Sequence, residues 1–180
     1  MPGLAPHERR SGLLIPVDAD SLVGDFRNRY NAATVARGLP PHVTILFPFA
    51  RGANVSETYD AVLTAHFATF GPFEAELTGV GQFDRFVWLA PEPRERFVDL
   101  IGATCSRFPE FPPYEGQGGE PEPHLTIAAV DASAATEPIT GIARCELQPL
   151  LPFRFTVDSV SLFEEREDAT WRATTRYGLG

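Results

Sequence analysis

The sequence contains the same three-residue unit twice, each time inside a short apolar run. PHVTILFPF carries His42 and Thr44, and PHLTIAAV carries His124 and Thr126. Alternate residues of a β-strand point to the same face, so each unit places an imidazole beside a hydroxyl. The residues in between are apolar and belong on the opposite face, which suits packing against helices. Each run therefore predicts a strand with one reactive pair on one side.

Two such pairs suffice for acid–base catalysis if their strands face each other across a cleft. The unperturbed pKa of histidine is about 6.5, so near neutral pH one imidazole can accept a proton while the other holds one. The two threonine hydroxyls can donate hydrogen bonds to an anion between them. A phosphate whose attacking and leaving oxygens lie roughly in line fits this arrangement. The residues predict proton transfer at a phosphate, without a metal or another cofactor.

Competing interpretations of these residues have less support. A lone histidine on a strand is more often structural than catalytic, and only the second copy in a matching context favours a function. Neither motif contains a second histidine, a cysteine or a carboxylate at ligand spacing, and threonine is a poor ligand for soft metals. The sequence also lacks a GxSxG motif, a P-loop and a GxGxxG motif after a predicted strand.

The pattern of apolar residues predicts strands and helices in alternation, an α+β protein. Leu13–Val17 reads as a first strand, and residues 18–38 read as a helix with N-cap candidates at Asp18 and Asp20. The further predicted elements are a helix capped by Ser56 and running to about Phe70, strands at Phe73–Phe83 and Phe86–Ala90, a helix from Arg94 to about Phe108, a weak helix around Ser133–Leu147, a long strand from Phe153 to about Glu165 and a last strand at Trp171–Tyr177.

A Pro- and Gly-rich stretch separates the two halves of this pattern. Residues 109–123 read PEFPPYEGQGGEPEP, which is too rich in proline and glycine for regular structure. The stretch runs straight into the second histidine motif. It is either a linker or a loop that covers a substrate.

A second repeat indicates that the chain is internally duplicated. PFEAELTGVGQF (Pro72–Phe83) aligns without gaps on PFRFTVDSVSLF (Pro152–Phe163) at an offset of 80 residues, and the two motif histidines are 82 residues apart. Nearly equal offsets predict one domain over residues 1–180, built from two lobes related by a pseudo-twofold axis. Such an axis would bring the two histidine strands face to face.

Composition limits the partners. The formal net charge is −9 and no basic run occurs, which argues against a surface for long nucleic acids but permits a small anionic substrate. No apolar run approaches the roughly 20 residues of a membrane span. We expect a cytoplasmic monomer with no membrane contact.

Cys105 and Cys145 lack metal or catalytic spacing and are predicted to be buried free thiols.

The paired HxT units, about 80 residues apart and each on a strand of one lobe, resemble the two-histidine (2H) phosphoesterase superfamily. PHVTILFPF and PPYEGQGGEPEPHLTIA look typical of its bacterial 2′-5′ RNA ligase-like and cyclic phosphodiesterase branch. The resemblance extends from Leu13 to Tyr177. It implies a bilobal α+β fold, with an antiparallel sheet flanked by helices in each lobe and a central cleft. It also implies metal-independent phosphoester chemistry on RNA ends or small nucleotides, commonly 2′,3′-cyclic phosphates.

The resemblance also assigns roles by motif position. His42 and His124 take the acid and base roles, and Thr44 and Thr126 bind phosphate oxygens. For hydrolysis, similarity to relatives suggests that His124 activates water and His42 protonates the leaving ribose oxygen, whereas ligation would exchange the roles. Stacking against a nucleobase usually falls to an aromatic side chain. Candidates for that contact are Phe83, Trp88, Tyr114 and Trp171.

Two other functions stay open at this point. One is 2′-5′ ligation of RNA fragments, which shares the site but needs a docking surface for larger RNA that the acidic composition disfavours. The other is a module that binds nucleotides or RNA ends without turnover. A pure binder has little need for two proton-transfer groups, so intact motifs in both lobes speak against it.

Overall fold

Helices and antiparallel strands alternate along the chain in the computed structural model, which describes residues 9–52, 54–116, 122–131 and 134–180. The strands in this part are β1 (Ser11–Pro16), β2 (His42–Leu46), β3 (Phe73–Phe83), β4 (Phe86–Glu92), β5 (Leu125–Ala129), β6 (Phe153–Val157), β7 (Ser159–Glu165) and β8 (Trp171–Gly178). The helices are α1 (Asp20–Tyr30), α2 (Ala32–Ala36), α3 (Val55–Phe67), α4 (Arg94–Arg107) and α5 (Glu137–Glu146). The predicted α+β class is confirmed.

The described strands form one sheet in the order β6-β3-β4-β5-β2-β1-β7-β8, and all neighbours are antiparallel. β2, which contains His42 and Thr44, and β5, which begins directly after His124 and contains Thr126, lie side by side at its centre. They join a half made of β1, β2, β7 and β8 to a half made of β3 to β6. The two halves therefore interleave along the chain. The internal duplication itself stays a prediction.

One face of the sheet is covered by helices and forms the core. Leu13 and Ile15 of β1 and Val43 of β2 are buried there, together with Phe26 of α1 and Phe97 of α4. Burying a side chain of this size contributes about 1.5–3 kcal/mol, so the alternation of apolar residues along each strand selects this face. The helix α1 packs against β5 and α4 packs against β2. Both histidine strands thus rest on a helix, and their polar residues point to the opposite face.

The long helix predicted over residues 18–38 is wrong in two respects. Asn31 leaves the helical conformation with a φ of −147° and divides the segment into α1 and α2. Asparagine favours such breaks because its side chain competes for backbone hydrogen bonds. Neither Asp18 nor Asp20 caps the helix: the N-cap residue is Ala19, without a side-chain hydrogen bond.

The N-terminus of the second helix also differs from the prediction. Asn54, with a φ of 62°, precedes α3, and Ser56 lies inside the helix instead of capping it. Asparagine tolerates this left-handed backbone better than most residues, because its short polar side chain can hydrogen-bond locally. The helix ends at Phe67, a few residues before the predicted stop.

The single strand predicted from Phe153 to Glu165 is in fact two strands. β6 pairs with β3, whereas β7 pairs with β1 and β8, and Asp158 lies between them. The Asp158 carbonyl accepts a hydrogen bond from the Leu179 amide at 2.7 Å, which occupies the break. A run of alternating residues shows that a segment is extended, but it does not show where the segment changes partner.

The predicted burial of both cysteines is wrong, although both thiols are free. Cys105 is half-buried and Cys145 is exposed. On α5 the inward face is defined by Thr140 and Ala143, three residues apart, so a side chain two positions further along points outwards. The helix begins at Glu137, and Ser133, the predicted start, lies outside the described residues. No helix in the ranges given above has the length and apolarity to cross a membrane.

Candidate active site

The register of β2 and β5 brings the two motifs together. Val43 pairs with Leu125, so extending the antiparallel ladder by one residue each way sets His42 opposite Thr126 and Thr44 opposite His124. Side chains opposite each other in such a pair have Cβ atoms about 4.5–5.5 Å apart. The four polar residues are half-buried. They form the corners of a quadrilateral on the open face, with the histidines on one diagonal and the threonines on the other.

Both imidazoles are held by the same local hydrogen bond. Nδ1 of His42 lies 2.7 Å from the carbonyl oxygen of Pro40, and Nδ1 of His124 lies 2.7 Å from that of Glu122. A carbonyl oxygen only accepts hydrogen bonds, so Nδ1 must carry the hydrogen in each ring. Nε2 is then the unprotonated nitrogen of each neutral ring, and it is the one left for proton transfer.

The sequence carries a signal for this hydrogen bond that the strand pattern alone does not reveal. Pro41 precedes His42, and Pro123 precedes His124. A proline fixes its own φ and restricts the residue before it to extended conformations. The carbonyl two residues before each histidine therefore has a restricted position. The functional unit is better written PHxT than HxT.

Burial and nearby charges set the protonation of the two histidines. Burial lowers the pKa of His42 to about 4; the Pro40 carbonyl opposes this shift, whereas the positive charge of Arg27 and, when that ring is protonated, of His124 act in the same direction. Burial also lowers the pKa of His124, but there both the carbonyl and the carboxylate of Glu122 oppose the shift. Both rings are neutral near pH 7 in the free protein. A bound anion would favour protonation of whichever ring it contacts.

Two of the predicted aromatic residues lie against the second histidine. The Phe83 ring is perpendicular to His124 at a centroid distance of 4.9 Å, and the Trp88 ring is 6.2 Å away. Trp88 pairs with Thr126 across β4 and β5. Its indole lies over Gly81, where a Cβ would overlap the ring. The structure therefore brings Phe83 and Trp88 to the motif of β5 and shows why a glycine stands on β3.

Tyr114, a third predicted aromatic residue, reaches the motif of β2 from the Pro-rich loop. Its amide donates a hydrogen bond of 2.7 Å to the Phe47 carbonyl, and its phenol interacts with the Thr44 hydroxyl. Burial raises the pKa of the phenol and the Thr44 contact opposes that shift. Tyr114 and Glu115 both adopt left-handed backbone conformations, with φ of 50° and 57°. An ion pair between Arg51 and Glu115 holds this turn.

The fourth aromatic candidate is largely covered by its neighbours. Trp171 is only 7% exposed and packs against Leu14 and Phe163. Its ring is 5.9 Å from that of Phe47, and the Arg10 guanidinium lies 5.6 Å from its centroid. Trp171 therefore offers little free surface to a nucleobase.

The remaining described histidine is far from a catalytic setting. His66 packs edge-on against Phe67, Phe70 and Phe108, and its Nε2 lies 3.1 Å from the Thr104 hydroxyl. Within the part of the chain that the structure covers, no three His, Cys, Asp or Glu side chains lie close enough together to hold a metal ion. The histidine–threonine quadrilateral is the group of side chains best placed for chemistry.

Comparison of the sequence with family models identifies the family, and comparison with solved structures identifies the fold. The model of the 2′-5′ RNA ligase superfamily matches residues 15–169. No curated protein matches the sequence. LigT of E. coli complexed with 3′-AMP is 18% identical with a TM-score of 0.57, and the match covers 96% of this chain and 99% of LigT.

Two further solved structures share the fold. TT0787 of Thermus thermophilus is 16% identical with a TM-score of 0.60, and the match covers 94% of this chain and 97% of that one. Usb1 of Kluyveromyces marxianus is 12% identical with a TM-score of 0.53, covering 94% and 98%. At these identities the likeness concerns the fold.

Proposed function

Because the chain belongs to the 2′-5′ RNA ligase superfamily, we propose that it is a metal-independent phosphoesterase acting on 2′,3′-cyclic phosphates or related phosphodiesters. Its substrates are small nucleotides or RNA ends. One observation carries the proposal: the Val43–Leu125 register sets two histidines and two threonines on one face, and each histidine is tethered through Nδ1. Two tethered imidazoles with free Nε2 atoms suit general acid–base catalysis.

This geometry supports the following reaction. A water oxygen attacks the phosphorus of a cyclic phosphate while the bond to one ribose oxygen breaks, which leaves a phosphomonoester and a free hydroxyl. One imidazole takes a proton from the water, and the other, protonated beforehand, gives its proton to the departing ribose oxygen. Thr44 and Thr126, on the other diagonal, donate hydrogen bonds to the non-bridging oxygens. The protein regenerates when the two imidazoles exchange one proton with solvent.

A nucleotide is the favoured carrier of the phosphate. Solved structures of LigT include complexes with 3′-AMP, ATP and NADP⁺, and this chain shares their fold. Phe83, Trp88 and Tyr114 line the quadrilateral on two sides and are the proposed contacts to the base. Tyr114 is 46% exposed and is the most exposed residue of the three. Aromatic stacking tolerates any base, because every base has a π-face.

Ligation of RNA 2′-5′ ends is the second candidate, and the name of the matching family favours it. The same two imidazoles would serve ligation, in which a hydroxyl of the second RNA fragment replaces water as the nucleophile. The formal net charge of −9 disfavours the docking of a large RNA. Hydrolysis of small substrates therefore stands first.

Product analysis distinguishes these reactions. The protein is incubated with 2′,3′-cyclic nucleotides, 2′-5′ oligonucleotides, ADP-ribose cyclic phosphate and paired tRNA halves, and the products are identified by mass spectrometry. We expect ring-opened monophosphates, formed equally well in EDTA, and a loss of about 10²–10⁴-fold in His42→Ala and His124→Ala. Full activity in either variant would overturn the assignment. Joined tRNA halves without ring opening would favour ligation, and tight binding without any product would favour a binding module.

A further inference from the structure

The buried guanidinium of Arg27 is a charge that the proposed reaction does not use. The residue is 3% exposed, on the inward face of α1. Its Nη2 donates a hydrogen bond of 2.8 Å to the Leu39 carbonyl, while its Nε has no hydrogen-bond partner among the described residues. Burial lowers the pKa of Arg27, and the charge of Asp20 is the opposing influence. Burying a charge with so few compensating contacts costs folding free energy, so we expect the guanidinium to have a role that offsets this cost.

Arg27 acts on the segment just before the first motif. Three consecutive carbonyls accept hydrogen bonds from three different donors: Leu39 from Arg27 at 2.8 Å, Pro40 from His42 at 2.7 Å, and Pro41 from the Val17 amide at 2.8 Å. Pro40 and Pro41 have no amide hydrogen and cannot donate hydrogen bonds to neighbouring carbonyls. The carbonyls of this segment therefore depend on donors from outside it. Arg27 fixes the carbonyl next to the one that orients the His42 ring.

Arg27 also distinguishes the electrostatic setting of the two histidines. The groups whose positive charge acts on His42 are Arg27, from α1, and His124, just before β5, when that ring is protonated; both disfavour a proton on the His42 ring. The charged group that acts on His124 is the Glu122 carboxylate, which favours a proton there. Glu122 is itself held by Arg94, through bonds of 3.1 and 2.8 Å. The two rings make the same hydrogen bond through Nδ1, but a positive charge acts on His42 and a negative charge acts on His124.

We propose that Arg27 is a positioning residue for His42: its guanidinium holds the Leu39–Pro41 segment, whose Pro40 carbonyl orients the His42 ring, and it adds a positive charge on that side of the site, where a general base is favoured. His124 is then the general acid. This rests on the proposed acid–base function and reverses the roles that similarity to relatives suggests. In hydrolysis, His42 takes the water proton and His124 protonates the ribose oxygen.

Titration of the ring protons by NMR tests the charge of Arg27 without any substrate. Resonances of His42 and His124 are assigned with the His42→Ala and His124→Ala variants. In Arg27→Met we expect the His42 midpoint to move up by about half a unit to one unit, because one of the charges opposing protonation is gone. Arg29→Met is the matched control, since Arg29 lies on the same helix, exposed and paired with Glu146. An unchanged His42 midpoint in folded Arg27→Met, or an equal shift in the control, would overturn the inference.

The pH profile of kcat/KM tests the role assignment. In Arg27→Met the acidic limb, which reports the base, should move to higher pH while the alkaline limb stays, a change that a merely structural role would not produce. A shift of the alkaline limb alone would overturn the assignment. If Arg27→Met does not fold, the unmodified protein decides: His42 must titrate below His124, and the reverse order would refute the proposal. A protein with no phosphoesterase activity but a normal Arg27-dependent shift would refute the function and keep the positioning role.

Discussion

At the scale of single residues, the site is defined by how each imidazole is tethered. The sequence predicts that His42 and Thr44 share a face, because alternation along a strand is a local property. It does not reveal the bonds from Nδ1 to the Pro40 and Glu122 carbonyls, which depend on how the chain enters each strand. Nor does it reveal Arg27, since a single arginine in an amphipathic helix resembles any surface cation.

Loss of a threonine hydroxyl should weaken catalysis less than loss of an imidazole. In the proposed reaction, Thr44→Ala removes one hydrogen bond to a charged phosphate, worth about 1.5–3 kcal/mol, or roughly 10- to 150-fold in kcat/KM. Thr44→Ser keeps the hydroxyl and should retain most of the activity. Steady-state kinetics on a cyclic nucleotide measure both. Equal losses in the two variants would show that the methyl group, and not the hydroxyl, matters.

The lowered pKa of His42 links stability to pH. The folded protein holds this ring with a pKa of about 4, whereas the unfolded chain protonates it near its ordinary value of about 6.5. Between these values the unfolded state binds more protons, so this contribution to the free energy of unfolding is complete above about pH 6.5 and is lost as the pH falls towards 4. Denaturant unfolding at pH 7 and pH 5 should show a smaller pH dependence in His42→Gln. An unchanged dependence would contradict the shift.

At the scale of elements, the position of the strands is set by pairing that no local pattern encodes. The sequence predicts extended structure from Phe153 to Glu165, but only the sheet shows that β6 and β7 serve different neighbours. The break at Asn31 has a local cause that escapes notice, because a single asparagine inside an otherwise helical pattern is common. By contrast, the face of each histidine strand that carries the polar residues can be predicted from the sequence. Burial of Val43 and Leu125 forces the histidines and threonines to the other face.

Replacement of Gly81 should disturb the wall beside His124. A Cβ in Gly81→Ala would overlap the Trp88 indole, so the ring must move, at a cost of about 1–3 kcal/mol in stability. Gly102→Ala is the control, because nothing lies within 4 Å of the position that its Cβ would take and alanine favours the α4 helix. Thermal unfolding and tryptophan fluorescence report both variants. Gly81→Ala with the stability and emission of the unmodified protein would refute the predicted overlap.

At the scale of the whole molecule, net charge affects which partners the protein can bind, and strand topology sets the order in which the sheet is completed. The α+β class is predictable because apolar periods of two and of nearly four alternate along the chain. The interleaving of the two halves is not predictable, since it depends on which strands meet. The formal net charge of −9 is read directly from the sequence and acts on every polyanion that approaches.

That charge predicts an unusual salt dependence. A basic RNA-binding protein that makes 6–10 phosphate contacts loses about 10³–10⁵-fold in affinity between 50 and 200 mM salt. For this acidic chain we expect kcat/KM on a cyclic mononucleotide to change less than about tenfold over that range, and activity on a longer RNA end to stay level or rise as repulsion is screened. Parallel assays in increasing KCl measure both. A steep fall on the longer RNA would indicate a cationic docking surface.

The central position of β2 and β5 also bears on the order in which the protein is made. His42 emerges early during synthesis, but the half of the sheet that holds it needs β7 and β8, which are the last strands of the described chain. A nascent chain can thus carry both histidines while the half of the sheet that contains β2 is still incomplete. That half of the sheet is completed only when synthesis reaches β7 and β8, so the two motifs gain their full structural support late in synthesis.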